Sequence, residues 1–129
     1  MKKILITLCF ILITSCQSSG PSVFFPNLKD GQKISSSFNL KMGVKAMQVK
    51  PAGKFEEGTG HHHLIIDKEF LQKGTVVPAD TQHIHFGKAQ TEYDLKLAPG
   101  RHTLTLQFAD GLHRSYGKEL SKTISVIVE

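Results

Sequence analysis

The sequence predicts an all-β domain, an antiparallel immunoglobulin-like β-sandwich of about seven short strands. Three observations predict it. Apolar and polar residues alternate through the last third of the chain, Gly-containing turn signals recur between the alternating stretches, and no useful helical period appears after residue 15. The immunoglobulin Cys…Trp…Cys signature is missing, since the chain has no tryptophan, so the prediction rests on pattern alone.

In chain order, "SVFFP" (22–26) reads as a short strand ended by Pro26, and "LKDGQKI" carries an Asp30–Gly31 turn. "FNLKMGV" sets Phe38, Leu40, Met42 and Val44 on one face and Asn39, Lys41, Gly43 and Lys45 on the other, a half-buried strand. Residues 46–60 hold three glycines and a proline and read as a long loop. "HHHLIID" is a strand by composition. "FLQKGTVVPADT" is irregular, one helical turn followed by a loop around Pro78, and "HIHFG" is again a strand. Tyr93, Leu95 and Leu97 alternate with Glu92, Asp94 and Lys96 before a Pro99–Gly100 turn. Leu104, Leu106 and Phe108 alternate with Thr103, Thr105 and Gln107 before an Asp110–Gly111 turn, and Ile124, Val126 and Val128 mark a last strand.

The 129 residues bound one small domain plus whatever the N-terminus adds. Lys2 and Lys3 precede an apolar run, Ile4 to Ile13, too short to span a bilayer core of roughly 30 Å. "ITSC", ending at Cys16, looks like the lipobox of bacterial lipoproteins, where cleavage precedes the cysteine and the thiol is lipidated. The expected division is a signal peptide over 1–15, lipidated Cys16 with a polar tether over 16–22, and a single β-sandwich domain over 23–129. Palmitate-type chains at Cys16 would anchor the domain to a membrane of the bacterial cell envelope. Gln17, where Asp is the usual inner-membrane retention signal, favours the outer membrane over the rest of the periplasmic face.

With Cys9 in the discarded segment and Cys16 acylated, the mature domain has no thiol for a disulfide or a thiolate site. The formal charge of +5 becomes +3 once Lys2 and Lys3 are removed, and the basic residues are scattered, which excludes a nucleic-acid partner.

Five of the seven histidines fall in "GTGHHHLIID" (58–67) and "QHIHFG" (82–87), a clustering that calls for a chemical reading. In a strand, residues i and i+2 project from one face about 6.5 Å apart. Two imidazoles so placed can lean onto one metal with bonds of about 2.0–2.1 Å. His-x-His occurs twice, as His61 with His63 and as His83 with His85, and these four are the expected ligands. Ile84 and Phe86 take the core parity, which leaves His83 and His85 accessible. If Leu64 and Ile66 face the core, His62 points inward while His61, His63 and Ile65 point outward; the opposite register would expose His62 instead. If the two segments are neighbours in one sheet, all four imidazoles meet on one face. His62, His102, His113 and Met47 are secondary candidates: His102 shares parity with Leu104, His113 lies past a turn, and Met47 could add a thioether. An all-nitrogen site suits copper first and zinc second.

Two other readings compete with metal: histidines that only shape an envelope scaffold or interaction lipoprotein, and an organic-ligand or partner site. Catalysis is not expected. No Gly-flanked serine or free cysteine offers a nucleophile, Glu92 and Asp94 belong to a solvated face, and nothing ties Asp67, Glu56 or Glu57 to the histidines.

The motifs "GTGHHHLIID", "HIHFGKAQTE" and "APGRHTLTLQFAD", in this order, resemble an exported bacterial family catalogued as domain of unknown function 4399. The resemblance covers about Val23 to Val128. It marks His61, His62, His63, His83, His85, Phe86, Gly87, Pro99, Gly100, His102 and His113 as matching the family pattern, and it implies an exported β-domain but no activity. Ala89 departs from it where a glycine is more usual, and "LHRSYGKELSK" lacks the prolines often found there.

Overall fold

The computed structural model describes residues 20–129, so the expected signal peptide and Cys16 lie outside the described residues. Alternation in the sequence becomes ten strands: β1 (Ser22–Phe24), β2 (Gln32–Ile34), β3 (Ser37–Lys41), β4 (Gly43–Lys45), β5 (Gln48–Val49), β6 (Thr59–Ile66), β7 (His83–His85), β8 (Glu92–Lys96), β9 (Gly100–Ala109) and β10 (Ser121–Val128). A single 3-10 turn, Lys118–Leu120, precedes β10. The main sheet runs β2-β10-β9-β6-β5, with β7 also on β6; β1 pairs with β4 and β3 with β8 in two ribbons.

The all-β, sandwich-like class therefore stands, with three corrections. There are ten strands and not about seven, because the turn at Asp30–Gly31 delivers β2, the loop over 46–60 contributes β5, and "FNLKMGV" divides into β3 and β4, which pair with different partners. The pairing is not wholly antiparallel, since β2 lies parallel to β10 and β5 parallel to β6. The segment 70–81 holds no helical turn; it crosses as an irregular strap with a bridge between Val76 and Arg114.

One face of the main sheet makes the core. Leu64 from β6, Leu104, Leu106 and Phe108 from β9, and Ile124, Val126 and Val128 from β10 join Val23, Leu40, Met42 and Leu95 from the ribbons in one buried cluster. Each such side chain contributes about 1.5–3 kcal/mol when fully buried. The Leu64–Leu106 and His62–Phe108 register fixes the other face of the β6–β9 pair: His61 opposite Ala109, His63 opposite Gln107, Ile65 opposite Thr105.

Alternation assigns that second face to solvent, yet Ile65, Thr105 and Gln107 are fully buried. The strap covers them. Leu71 N–H donates to Gln107 Oε1 (3.1 Å), Thr105 Oγ1 donates to Lys68 O (2.9 Å), and Ser115 Oγ donates to Leu71 O (2.9 Å). An irregular segment whose backbone polar groups are satisfied by the sheet beneath it can lie on that sheet without an apolar face of its own.

Candidate metal centre

β6 and β7 are antiparallel neighbours, with His63 opposite His85 and Ile65 opposite His83. His61, His63 and His85 therefore project from the strap side of the sheet, and His62 from the core side. His61 and His63 are not the accessible pair that alternation suggests: they are 0% and 2% exposed, since the strap and the loop after β9 close over them. His85 remains exposed.

Three of these rings meet through the same nitrogen. Nε2 of His61 lies 3.0 Å from Nε2 of His63 and 3.2 Å from Nε2 of His85. Nitrogens bound at about 2.05 Å to one ion stand about 2.9 Å apart at a right angle and about 3.3 Å apart at the tetrahedral angle. These two separations fall in that interval, and the ligand atoms of all three residues lie within 4.8 Å of one another, so the trio could hold a metal ion. Gly87 makes the arrangement possible: a Cβ there would lie 2.3 Å from the His85 ring.

A proton is a poor substitute for the ion. His61 Nε2 has either one hydrogen or one lone pair to offer, so it cannot make a good hydrogen bond to both neighbouring nitrogens at once. Burial pushes His61 down to about 4 and His63 down to about 2, and the neighbouring imidazoles add to the effect. His85 is lowered as well, by burial and then by His113. The rings are thus neutral, with their lone pairs free for a Lewis acid, and the Nδ1 atoms of His61 and His63 find no hydrogen-bond partner.

The other expected ligands are placed elsewhere. His83 shares the face of His85, but its Nδ1 donates to Asp80 Oδ1 (2.7 Å), which also accepts from Gln82 N–H (2.9 Å). The ring is turned into this Asx turn and away from the trio. Asp80, unremarked in the sequence, stands three residues before His83; that spacing is the signal that could have flagged the pairing. His102 sits between Asp67 Oδ2 (2.8 Å) and Ala98 O (2.9 Å), with both nitrogens engaged. The Asp67 hydrogen bond raises its pKa against the pull of burial. Met47 packs against the hydrophobic core. His62 is fully buried against Phe108, ring centroids 5.0 Å apart, with neither nitrogen hydrogen-bonded. Burial pushes it down to about 4.

His113, a secondary candidate from its place past a turn, comes close to the trio. Its ring centroid lies 4.8 Å from His85, 5.1 Å from His61 and 6.2 Å from His63. A cleft of about 280 Å³ opens here, with His63, His85 and His113 on one side and Val76 to Ala79 on the other. That is below the roughly 300–1,000 Å³ of organic-ligand pockets. A larger cleft of about 490 Å³, beside Met47, Glu56 and Thr59, is lined by no imidazole. Among the described residues no carboxylate joins the histidine trio. Asp67 and Glu56, both close in sequence, are taken by His102 and Lys50.

A family model described as Domain of unknown function (DUF4399) matches residues 40–129, which include every histidine of the cluster. No curated protein and no solved structure matches the chain.

Proposed function

The chain belongs to the DUF4399 family, and from that premise, which brings no activity with it, we propose that the domain binds a transition metal ion, copper in preference to zinc, for capture or delivery and not for turnover. One observation carries the reading: the Nε2 of His61 lies 3.0 and 3.2 Å from those of His63 and His85, and the latter two rings line a cleft. Copper ranks above zinc because nitrogen sites follow the ordinary affinity order of divalent ions. A hydrolytic metal site would want a carboxylate base within reach, and the trio has imidazoles as its neighbours. The proposed setting is the bacterial cell envelope, with the domain held to the membrane through lipid on Cys16.

The scaffold reading fits two other histidines. Structural imidazoles hydrogen-bond to carboxylates or backbone carbonyls, as His83 does to Asp80 and His102 to Asp67 and Ala98. His61 and His63 make no such bond, which separates them from that role.

Calorimetric titration tests the proposal. The full-length chain carrying Cys9→Ser and Cys16→Ser, so that no thiol competes, is expected to bind one copper ion with Kd of about 1 μM or tighter. His63→Ala/His85→Ala should abolish binding, and His83→Ala should leave it intact. Absence of binding, or binding indifferent to the double substitution, would sink the proposal.

A further inference from the structure

We propose that His113 is the exchangeable fourth ligand of this site, the one through which an ion enters and leaves; the inference rests on the metal-binding reading above. The three floor ligands differ from His113 in kind. His61 and His63 are locked in the middle of β6, between β7 and β9, and His85 is paired in register with His63. None of these backbones can move without breaking a ladder. His113 lies outside every strand, is only partly buried, and stands at the mouth of the cleft opposite Val76 to Ala79.

Its position is nevertheless built. Asp110 Oδ1 accepts from the N–H groups of Leu112 (2.8 Å) and Arg114 (3.0 Å), the residues on either side of His113, while Asp110 Oδ2 accepts from Arg114 Nε (2.7 Å). His113 N–H donates to Asp110 O, and His113 O accepts from Val77 N–H, both at 2.9 Å, which ties the loop to the strap across the cleft. Between these clamps His113 adopts φ 65°, the left-handed conformation that non-glycine residues rarely hold without cause. The strained turn aims its ring at His61 and His85, at 5.1 and 4.8 Å between centroids, and leaves it farther from His63 at 6.2 Å.

A three-imidazole floor satisfies three positions of a four-coordinate copper or zinc ion. The next imidazole beside the three is His113, outside the converged group as it stands, and a rotamer change of this partly exposed side chain would bring it on or take it off. Rigid donors then set where the ion sits, and the loop donor sets how fast it leaves. A recipient ligand approaching through the cleft would replace His113 first.

The test uses His113→Asn in the same thiol-free full-length chain, because asparagine accepts the left-handed backbone and supplies no imidazole. The copper-loaded protein is mixed with excess chelator, release is followed by absorbance, and the electron paramagnetic resonance spectrum of Cu(II) is recorded for its nitrogen pattern. We expect release accelerated by about tenfold or more, with the loss of one coupled nitrogen and Cu(II) still bound. Circular dichroism of the variant checks the fold, and His113→Gly, which also accepts the backbone, repeats the measurement. Release changed by less than about threefold, or an unchanged nitrogen pattern, overturns the inference while leaving the three-histidine site intact. Failure of the unaltered chain to bind copper overturns both readings.

Discussion

The β6–β9 ladder has a histidine at each end, and the two ends treat it in opposite ways. At the His61–Ala109 end, imidazoles face imidazoles, no carboxylate joins the ligand group, and burial drives their protonation downward, opposed at His61 only in part by the charge of Asp110. At the other end, just past Ile66–Leu104, His102 lies between Asp67 and Ala98 O, and its protonation is raised. Asp67 also closes the ladder, accepting Thr103 N–H on Oδ1 (2.9 Å) while its own N–H donates to Thr103 O (2.9 Å). The same side chain is paired with a carboxylate in one place and lacks one in the other. What decides is the partner: a carboxylate makes histidine a structural clamp, and a cluster of imidazoles leaves ring nitrogens such as Nδ1 of His61 and His63 without a hydrogen-bond partner.

The contrast should be largest in the pH dependence of stability. For His61, His62 and His63 the folded values lie below the ordinary 6.5, so between pH 6.5 and about 4 the unfolded chain binds protons that the native one refuses. Stability from these groups is complete above 6.5 and lost as pH falls through that window. His62 alone, lowered to about 4, accounts for about 3 kcal/mol when fully expressed. His102 has the opposite sign: its contribution is complete below 6.5 and lost as pH rises through its raised value. The cluster holds more histidines, and they are buried deeper, so it wins. The unfolding free energy from urea titration in the presence of a chelator should fall by about 3 kcal/mol or more from pH 7 to pH 4.5, and a flat profile would erase the distinction between the two ends.

The next effect separates neighbours within one triplet. His62 is as buried as His61 and His63 but faces Phe108 and the core, with both nitrogens unpartnered. A buried polar group left unsatisfied costs about 1–3 kcal/mol. His62→Leu, close in volume and wholly apolar, should raise stability by about 1–2 kcal/mol at pH 7, more at pH 5, and leave copper affinity unchanged. Lost affinity would mean that the core side of β6 takes part in the site.

Parity explains why the sequence could say which histidines share a face and yet misjudge two things about them. Period-two alternation assigns His61 and His63 to one side and His62 to the other, and the register His63–His85 follows once β6 and β7 are neighbours. Alternation carries no information about what lies over a face. The cover comes from residues 67–79, which have no period, and it is secured by side-chain to backbone bonds such as Thr105 to Lys68 O. Likewise, parity put His83 on the correct side but could not foresee that Asp80 captures its Nδ1. His113 was the hardest to place, since a loop residue 50 positions from His63 reaches the cluster only through the Asp110 turn and the Val77 hydrogen bond. Strand number is illegible for a related reason: β5 has two residues and β2 three, both paired in parallel, and neither shows an alternating run.

Smaller effects probe each end by itself. Asp67→Asn keeps an oxygen for Thr103 N–H and tolerates the φ of 56° at that position, so it removes little besides the charge opposite His102. The pair is partly exposed, with the Asp67 side chain 43% accessible, which limits the loss to about 0.5–1 kcal/mol. The informative result is the pKa of His102 by NMR titration, which should drop back toward or below 6.5 while the imidazole cluster is unaffected. An unmoved His102 would assign its elevation to Ala98 O alone.

At the cluster end the smallest change is at Ala89, just beyond His85 and Gly87. Its N–H donates to Phe86 O at 3.2 Å, and its φ of 63° lies in the left-handed region, where a Cβ crowds the following carbonyl. This is the position at which the resembling family more usually has glycine, and the backbone supplies the reason. A left-handed non-glycine residue costs about 1–2 kcal/mol, part of which glycine returns through the greater freedom it gives the unfolded chain. Ala89→Gly should therefore stabilise the domain by about 0.5 kcal/mol, read as a higher urea midpoint with an unchanged slope. Because the turn leads out of the strand that carries His85, it should also slow amide exchange at Phe86 and Gly87 and do nothing to Asp67 and Thr103. Equal slowing at both ends would show that the ladder opens as one unit, and the division between clamp and cluster would then be chemical but not mechanical.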